Sequence, residues 1–387
     1  MENETSLLGK PDLQATSRQL ISAIFVLSLA AKMFLQPISL IHAVGRDAYI
    51  AMAIDGLIDL VALGLLIAAI RISGENDFFS MLVRLVGKTG AKVIAVIIGL
   101  YFFFKLSVTT SETLVFYTDS LFAEFDISVM IVVLLVFLVA VASHTLKAMS
   151  RLIELFVPLV VVGIGVLATI VIATKFDIAN ILPFLHTDKF GHALYTHIAF
   201  TGDFTPLIFF VGRTKSKKRT TLFSALSGVF GTFVAFFFTV VMSAAFGNVP
   251  ILSDTSTNLS TALQFSIGNV YGRIDLFSTV LWSIAAFLET ALFFFAASKC
   301  FCLIVGEKGH GLVGLAVAVA LYFVEVFAMT DPTILKTVLT SHVTSMICLC
   351  FTIAIPLSAL IISIISRDDG KKTDTKEQKK SGVMNEN

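Results

Sequence analysis

Charge is what this chain has least of. Only 14% of its 387 residues are Asp, Glu, Lys or Arg, roughly half the share of an ordinary soluble domain. By contrast 56% are hydrophobic, and mean hydropathy is +0.91. Proline is scarce at eight, and tryptophan occurs once beside 36 phenylalanines, a composition that excludes a disordered, collagen-like or low-complexity chain. The four cysteines, Cys300, Cys302, Cys348 and Cys350, form two C-x-C pairs inside apolar runs. That spacing is neither a zinc-ligand pattern nor a disulfide framework, so they read as packing residues. An excess of either charge sign is also missing, since 28 basic against 27 acidic residues leave +1, which removes the electrostatic basis for nucleic-acid binding. No metal-ligand cluster, phosphate loop or nucleophile–base motif is present, so neither an enzyme nor a cofactor is expected. A lipid bilayer is the solvent that suits this composition.

What the chain does have is a series of long apolar runs bounded by charge or turn residues. They cover residues 19–43, 49–70, 93–117, 128–142, 152–172, 192–211, 221–246, 276–298, 311–329 and 338–365. A helix needs about 20 apolar residues to cross the hydrocarbon, and helices satisfy their own backbone in lipid. The expected fold is therefore an all-α integral membrane protein of ten transmembrane helices. Twenty-one of the 28 Lys and Arg residues fall on the N-terminal side of such a layout and five on the other, with Lys32 and Lys105 inside spans. The positive-inside rule then puts both termini in the cytoplasm. Residues 1–17 read as a cytoplasmic tail and not a cleaved signal peptide, 18–366 as the membrane domain, and 367–387 as a disordered cytoplasmic tail. Residues 251–271 have an amphipathic pattern and are expected to lie over the outer face.

Two spans carry interruptions. The first reads Leu35-Gln36-Pro37-Ile38-Ser39 after Leu29-Ala30-Ala31, and the sixth reads Thr201-Gly202-Asp203-Phe204-Thr205-Pro206 at its centre. Spans one and six are equivalent members of a five-plus-five inverted repeat, and interrupted helices at matching positions point to a transporter-type binding site. Freed N–H groups at a half-helix start favour a carboxylate, and freed carbonyls favour an ammonium. The competing reading is a simple proline kink in each helix.

Eight ionisable residues fall within spans: Lys32, Asp55, Asp59, Lys105, Glu112, Asp203, Glu289 and Glu325. Each costs a few kcal/mol at mid-depth, so each should face the bundle interior and find a partner. Counting about 1.5 Å per residue brings Lys32 level with Asp59 on the neighbouring antiparallel helix. Asp55, four residues earlier, shares its face. The expected buried pair is Lys32 with Asp59, with Asp55 nearby as a surplus charge that a bound proton would remove; a purely structural ion pair is the alternative. Asp203 is either a ligand contact or the cap of the second half-helix. Lys105 and Glu289 are near mid-depth and placed to meet across the bundle. Glu325 is expected to be peripheral and His197 to be a packing histidine.

Several segments together resemble the spore germination receptor B-subunit family, a branch of the amino acid–polyamine–organocation permease superfamily. They are Ser17-Arg18-Gln19-Leu20, Gly45-Arg46-Asp47-Ala48-Tyr49-Ile50, Arg151-Leu152-Ile153-Glu154 with Pro158, Asn180-Ile181-Leu182-Pro183-Phe184-Leu185 and Gly202-Asp203-Phe204. The resemblance implies a multi-pass protein of the spore inner membrane that recognises a nutrient germinant, typically an amino acid. It also implies assembly with A-type and C-type receptor subunits. Ligand contact is implied at Ala31, Lys32, Met33, Thr201, Gly202, Asp203 and Phe204, with Glu289 nearby. Where the family tends to have a Gly-Thr-type opening, this chain has Ala30-Ala31-Lys32-Met33; where glycines are usual in the second span, it has Asp55 and Asp59. A cation on one helix and anions on its neighbour look compensatory. A working proton- or cation-coupled amino acid transporter is the second functional reading.

Overall fold

The computed structural model describes residues 15–30, 32, 35–73, 77–120, 126–142, 145–182, 190–214, 218–246, 274–306, 310–329 and 331–384. The segment 251–271 and the expected ligand contacts Ala31 and Met33 lie outside these residues. The described residues are helical almost throughout, and the elements follow the apolar runs. Helix α1, Ser17–Leu27, opens with a capping box: the Thr16 side chain accepts from Gln19 N, and Gln19 Oε1 accepts from Thr16 N at 2.9 Å. After a turn at 28–30 the chain resumes as α2, Leu35–Val44. The break in the first span thus falls earlier than Pro37, which sits in the first turn of α2. A proline there is tolerated because the first turn's N–H groups have no intrahelical acceptor.

Helix α3, Ala48–Ile72, follows a short 3₁₀ turn at Gly45–Asp47. Helix α4, Phe78–Ser120, is kinked at Gly87, whose φ of 77° is left-handed. Helices α5, Ile127–Ala142, and α6, Leu146–Lys175, come next, and Pro158 lies within α6 and not at its start. The sixth span is broken as its sequence suggests. Helix α7, Phe190–His197, runs into a 3₁₀ turn at Ile198–Phe200; the chain extends through Thr201 and Gly202 and resumes as a 3₁₀ segment at Thr205–Phe210. Helices α8, Lys218–Phe246, and α9, Ile274–Val305, follow, then α10, His310–Val324, which ends in a π-helical turn at Glu325–Met329. Helix α11, Pro332–Leu339, precedes α12, His342–Met384, which covers the expected tenth span from residue 342 onward.

Among the described residues, seven helices are long and apolar enough to cross a membrane: α3, α4, α6, α8, α9, α10 with its π turn, and the first part of α12. Of the ten expected spans, α5 is short and the first and sixth are broken, so length does not by itself establish ten. Helix α12 continues past residue 367 to Met384, where a disordered tail is expected. The Lys, Glu and Gln residues there are good helix formers, and extending a helix already begun in the membrane needs no new nucleus.

The bundle is held by the interlocking of α4 with α9, of α3 with α8 and α12, and of α1 with α6 and α8. Phe102, Phe204, Phe210, Phe293 and Phe294 are fully buried at its centre. Its perimeter shows the opposite pattern from a soluble protein: Val136, Phe137, Leu155, Val162, Phe230, Phe233 and Leu312 each expose more than half of their surface, as lipid-facing residues do. At one end of the bundle, Ala15 pairs in a single parallel bridge with Thr214, with Ala15 N donating to Arg213 O at 3.0 Å. This joins the entry to the first broken span to the exit of the second.

Helix α8 approaches α1 closely at Gly231, where the Ser28 hydroxyl occupies the place a Cβ would take. Small residues at such contacts let helix backbones approach in lipid. Gly231→Ala is expected to cost about 1–3 kcal/mol through overpacking, read as a lower unfolding midpoint in detergent. Gly64→Ala, at a position with open space around it, is the control and is expected to leave the midpoint unchanged or slightly raised.

Candidate functional site

The two breaks meet at the centre of the bundle and put ionised side chains there. Lys32 sits in the first break and forms a salt bridge with Asp59 of α3. Its Nζ also lies 3.4 Å from Oδ2 of Asp203, in the second break. On the other side of Asp203, Oδ1 is 2.9 Å from Nζ of Lys105 on α4. The four groups therefore form one line of alternating sign, Asp59–Lys32–Asp203–Lys105, drawn from four separate elements. All four are essentially inaccessible to solvent, with exposures of 0–3%.

Backbone groups freed by the second break complete the arrangement. Gly202 N donates to Oδ1 of Asp59 at 2.9 Å, and Lys105 Nζ donates to the Thr201 carbonyl at 3.2 Å. Gly202 has a φ of 96°, and Tyr101 and Thr352 stand where a side chain would be. Only glycine fits that conformation in that space. Aromatic rings flank both cations: Lys32 Nζ is 5.6 Å from the centre of the Phe204 ring and Lys105 Nζ 5.8 Å from that of Phe293, within cation–π range. Tyr101 stacks on Phe351 at 4.7 Å.

Asp203 is the least satisfied member of the line. Two ammonium neighbours are its ionic partners, and neither oxygen accepts a hydrogen bond from any other group among the described residues. It does not cap the second half-helix, one of the two roles its sequence position suggests: that segment has no side-chain cap, and the Gly202 carbonyl accepts from Thr205 Oγ1 at 2.6 Å instead. A buried carboxylate with unused acceptor capacity is an unmet demand for donors.

The remaining expected residues are distributed around this line. Asp55 does not pair with Lys32; its Oδ2 accepts from Gln36 Nε2 of α2 at 2.9 Å, and Oδ1 is unpartnered. Lys105 meets Asp203 and not Glu289, which is buried on α9 with Oε1 unpartnered. Glu325 is not peripheral. It is fully buried in the π turn and accepts from Ser107 Oγ at 2.8 Å and Ser111 Oγ at 2.7 Å, both on α4. The four-residue spacing of those serines is the sequence signal that marks a polar face of α4. His197 pairs with the Ser39 hydroxyl at 2.9 Å and stacks on Phe200. Cys300, Cys302 and Cys348 are buried among apolar side chains, and Cys350 faces outward.

The line carries no net charge, so its members are expected to be energetically coupled. Lys32→Met removes one cation and leaves two carboxylates facing one lysine, at a cost of about 3–5 kcal/mol. Lys32→Met combined with Asp59→Asn removes one charge of each sign and is expected to recover at least half of that loss. Unfolding midpoints of the detergent-solubilised variants measure both; simply additive losses would refute the coupling.

Comparison with known proteins bears on the architecture. No curated protein matches the chain. Among solved structures, it is similar to MHP1, a nucleobase-cation-symport-1 family transporter in a closed conformation with bromovinylhydantoin bound. The two share 14% identity with a TM-score of 0.54, over 86% of this chain and 77% of the other, a likeness of fold. The spore permease model, described as spore germination protein, matches residues 14–334. That match takes in both breaks and all four members of the buried line, and the chain therefore belongs to the spore permease family of spore germination proteins.

Proposed function

We propose that this chain is a nutrient germinant receptor subunit of bacterial spores: a permease-like bundle in the spore inner membrane that binds a small amino-acid-type ligand and responds by changing shape. In this reading it works with A-type and C-type receptor subunits, keeps both termini in the cytoplasm and carries out no chemical turnover. Family membership supports the germination role. The excess of cations on the N-terminal side supports the orientation.

The observation that carries the ligand class is the contact between Lys32 and Asp203. At 3.4 Å it is the longest link in the buried line, and Asp203 has acceptor capacity to spare. An amino acid brings one ammonium and one carboxylate. Its ammonium can take the place of Lys32 beside Asp203, while its carboxylate pairs with the displaced Lys32. Every charge keeps an opposite neighbour throughout, so insertion of a zwitterion adds no uncompensated charge to the membrane interior, as a singly charged ligand would. Lys32 in this reading holds the empty state together and is displaced by the ligand. Because Lys32 and Asp203 lie in different breaks, separating them moves one broken span relative to the other. That movement distinguishes the occupied state from the empty one, and differential affinity for two such states is what a ligand needs in order to shift them.

The transporter likeness keeps one second reading in view, a proton- or cation-coupled amino acid transporter, and the same experiment separates the two. Full-length protein in nanodiscs is screened with the twenty radiolabelled amino acids, and uptake is followed in proteoliposomes. Saturable binding that weakens at least tenfold in Asp203→Asn, about 1.4 kcal/mol, without concentrative uptake is the expected result. Concentrative uptake makes the protein a transporter. Failure of every amino acid to bind, alone and with the A-type and C-type partners present, overturns the ligand assignment.

A further inference from the structure

Away from the buried line, a cavity opens at one end of the bundle. Where α3, α8 and α12 approach one another at the end of the bundle, they enclose an open cavity of about 750 Å³. On α3, Gly64, Ala68 and Arg71 follow one another at helical spacing along its wall. Ala225 and Thr221 of α8 face them, and Arg367 of α12 closes the rim. Gly64 has open space where a side chain would be, so the room is real and not filled by a neighbour.

The two ends of this cavity differ in chemistry. At the rim stand two guanidinium groups, both solvent-accessible, and neither pairs with a carboxylate among the described residues. Asp77, the described acidic residue next along the chain from α3, is committed to Ser80 at the start of α4, accepting from its N at 3.1 Å and its Oγ at 2.5 Å. Arg18, Lys218 and Arg219 are exposed at the same end of the bundle. From Gly64 the wall continues along α3 through Val61 and Leu57, which are 52% and 63% exposed and face lipid. A headgroup-sized cavity with paired cations at the membrane surface thus opens onto an apolar track into the hydrocarbon.

We infer that this cavity is a binding site for an anionic phospholipid, with the phosphate between Arg71 and Arg367 and an acyl chain along Gly64, Val61 and Leu57. Guanidinium groups suit the phosphate because they offer paired donors in a plane, and basic pockets between transmembrane helices are where anionic headgroups bind. The apolar track selects lipid over a free phosphate, which has nothing to place there. By lying across three helices, the lipid would brace α3, which supplies Asp59 to the buried line.

The test uses the full chain in phosphatidylcholine nanodiscs with a fluorescent phosphatidylglycerol titrated in. Saturable binding is expected, with Arg71→Gln/Arg367→Gln weakening it at least tenfold. Gly64→Leu, which fills the track without removing charge, is expected to weaken it at least threefold. Inorganic phosphate at tenfold excess should not displace the lipid. Far-ultraviolet circular dichroism of each variant confirms that it is folded. Equal binding of phosphatidylcholine and phosphatidylglycerol, wild-type binding by the double variant, or displacement by inorganic phosphate would each overturn the assignment.

Discussion

A charge in the middle of a bilayer is tolerated only beside its opposite, and the alternating line of Asp59, Lys32, Asp203 and Lys105 is how this protein meets that requirement. Each of the four comes from a different element, so the line also decides how the elements stand relative to one another. Lys32 can reach both carboxylates only if the first span breaks near mid-depth. Asp203 can stand between two lysines only if the second break faces the first. The freed Gly202 N–H then finds its acceptor in Asp59, and the freed Thr201 carbonyl finds a donor in Lys105. Non-helical backbone at membrane depth is costly unless its polar groups are satisfied, and here the same ions that need partners supply them.

Much of this is legible in the sequence, and the part that is not has physical causes. Composition and run length locate the membrane helices, because lipid imposes one length and one polarity on all of them. The break at Gly202-Asp203 is marked by a glycine and a proline that no long helix accommodates readily. Depth counting along two antiparallel helices brings Lys32 to Asp59, since both positions are measured from the same membrane surface. Rotation about the helix axes is a different matter. Depth alone leaves Lys105 free to meet either Asp203 or Glu289, and only packing of α4 against α9 decides between them. Pro37 is misleading for a local reason: a proline reads as a break, yet in the first turn of a helix it marks a beginning. Glu325 is misjudged because a late span is expected at the periphery, whereas its carboxylate packs against Ser107 and Ser111 of α4.

Family membership and the likeness to a transporter fold fix the architecture, and a buried line of charges stands at its centre. Two aspartates alternating with two lysines make the buried line self-neutralising. An unfilled polar cavity at that depth would have to hold water or remain strained. Here alternating charges fill that place, while Asp203 keeps acceptor capacity unused.

The small parallel bridge between Ala15 and Thr214 gains significance in this light. It fastens the approach to the first broken span to the departure from the second at one end of the bundle, while the ionic contact between Lys32 and Asp203 fastens the same two spans near its middle. Two attachments along a pair of rods resist their separation at both points. Release of the inner one leaves the outer one as a fulcrum, about which the rods can splay like the blades of shears, so that an ångström-scale separation deep in the membrane grows with distance toward the opposite surface.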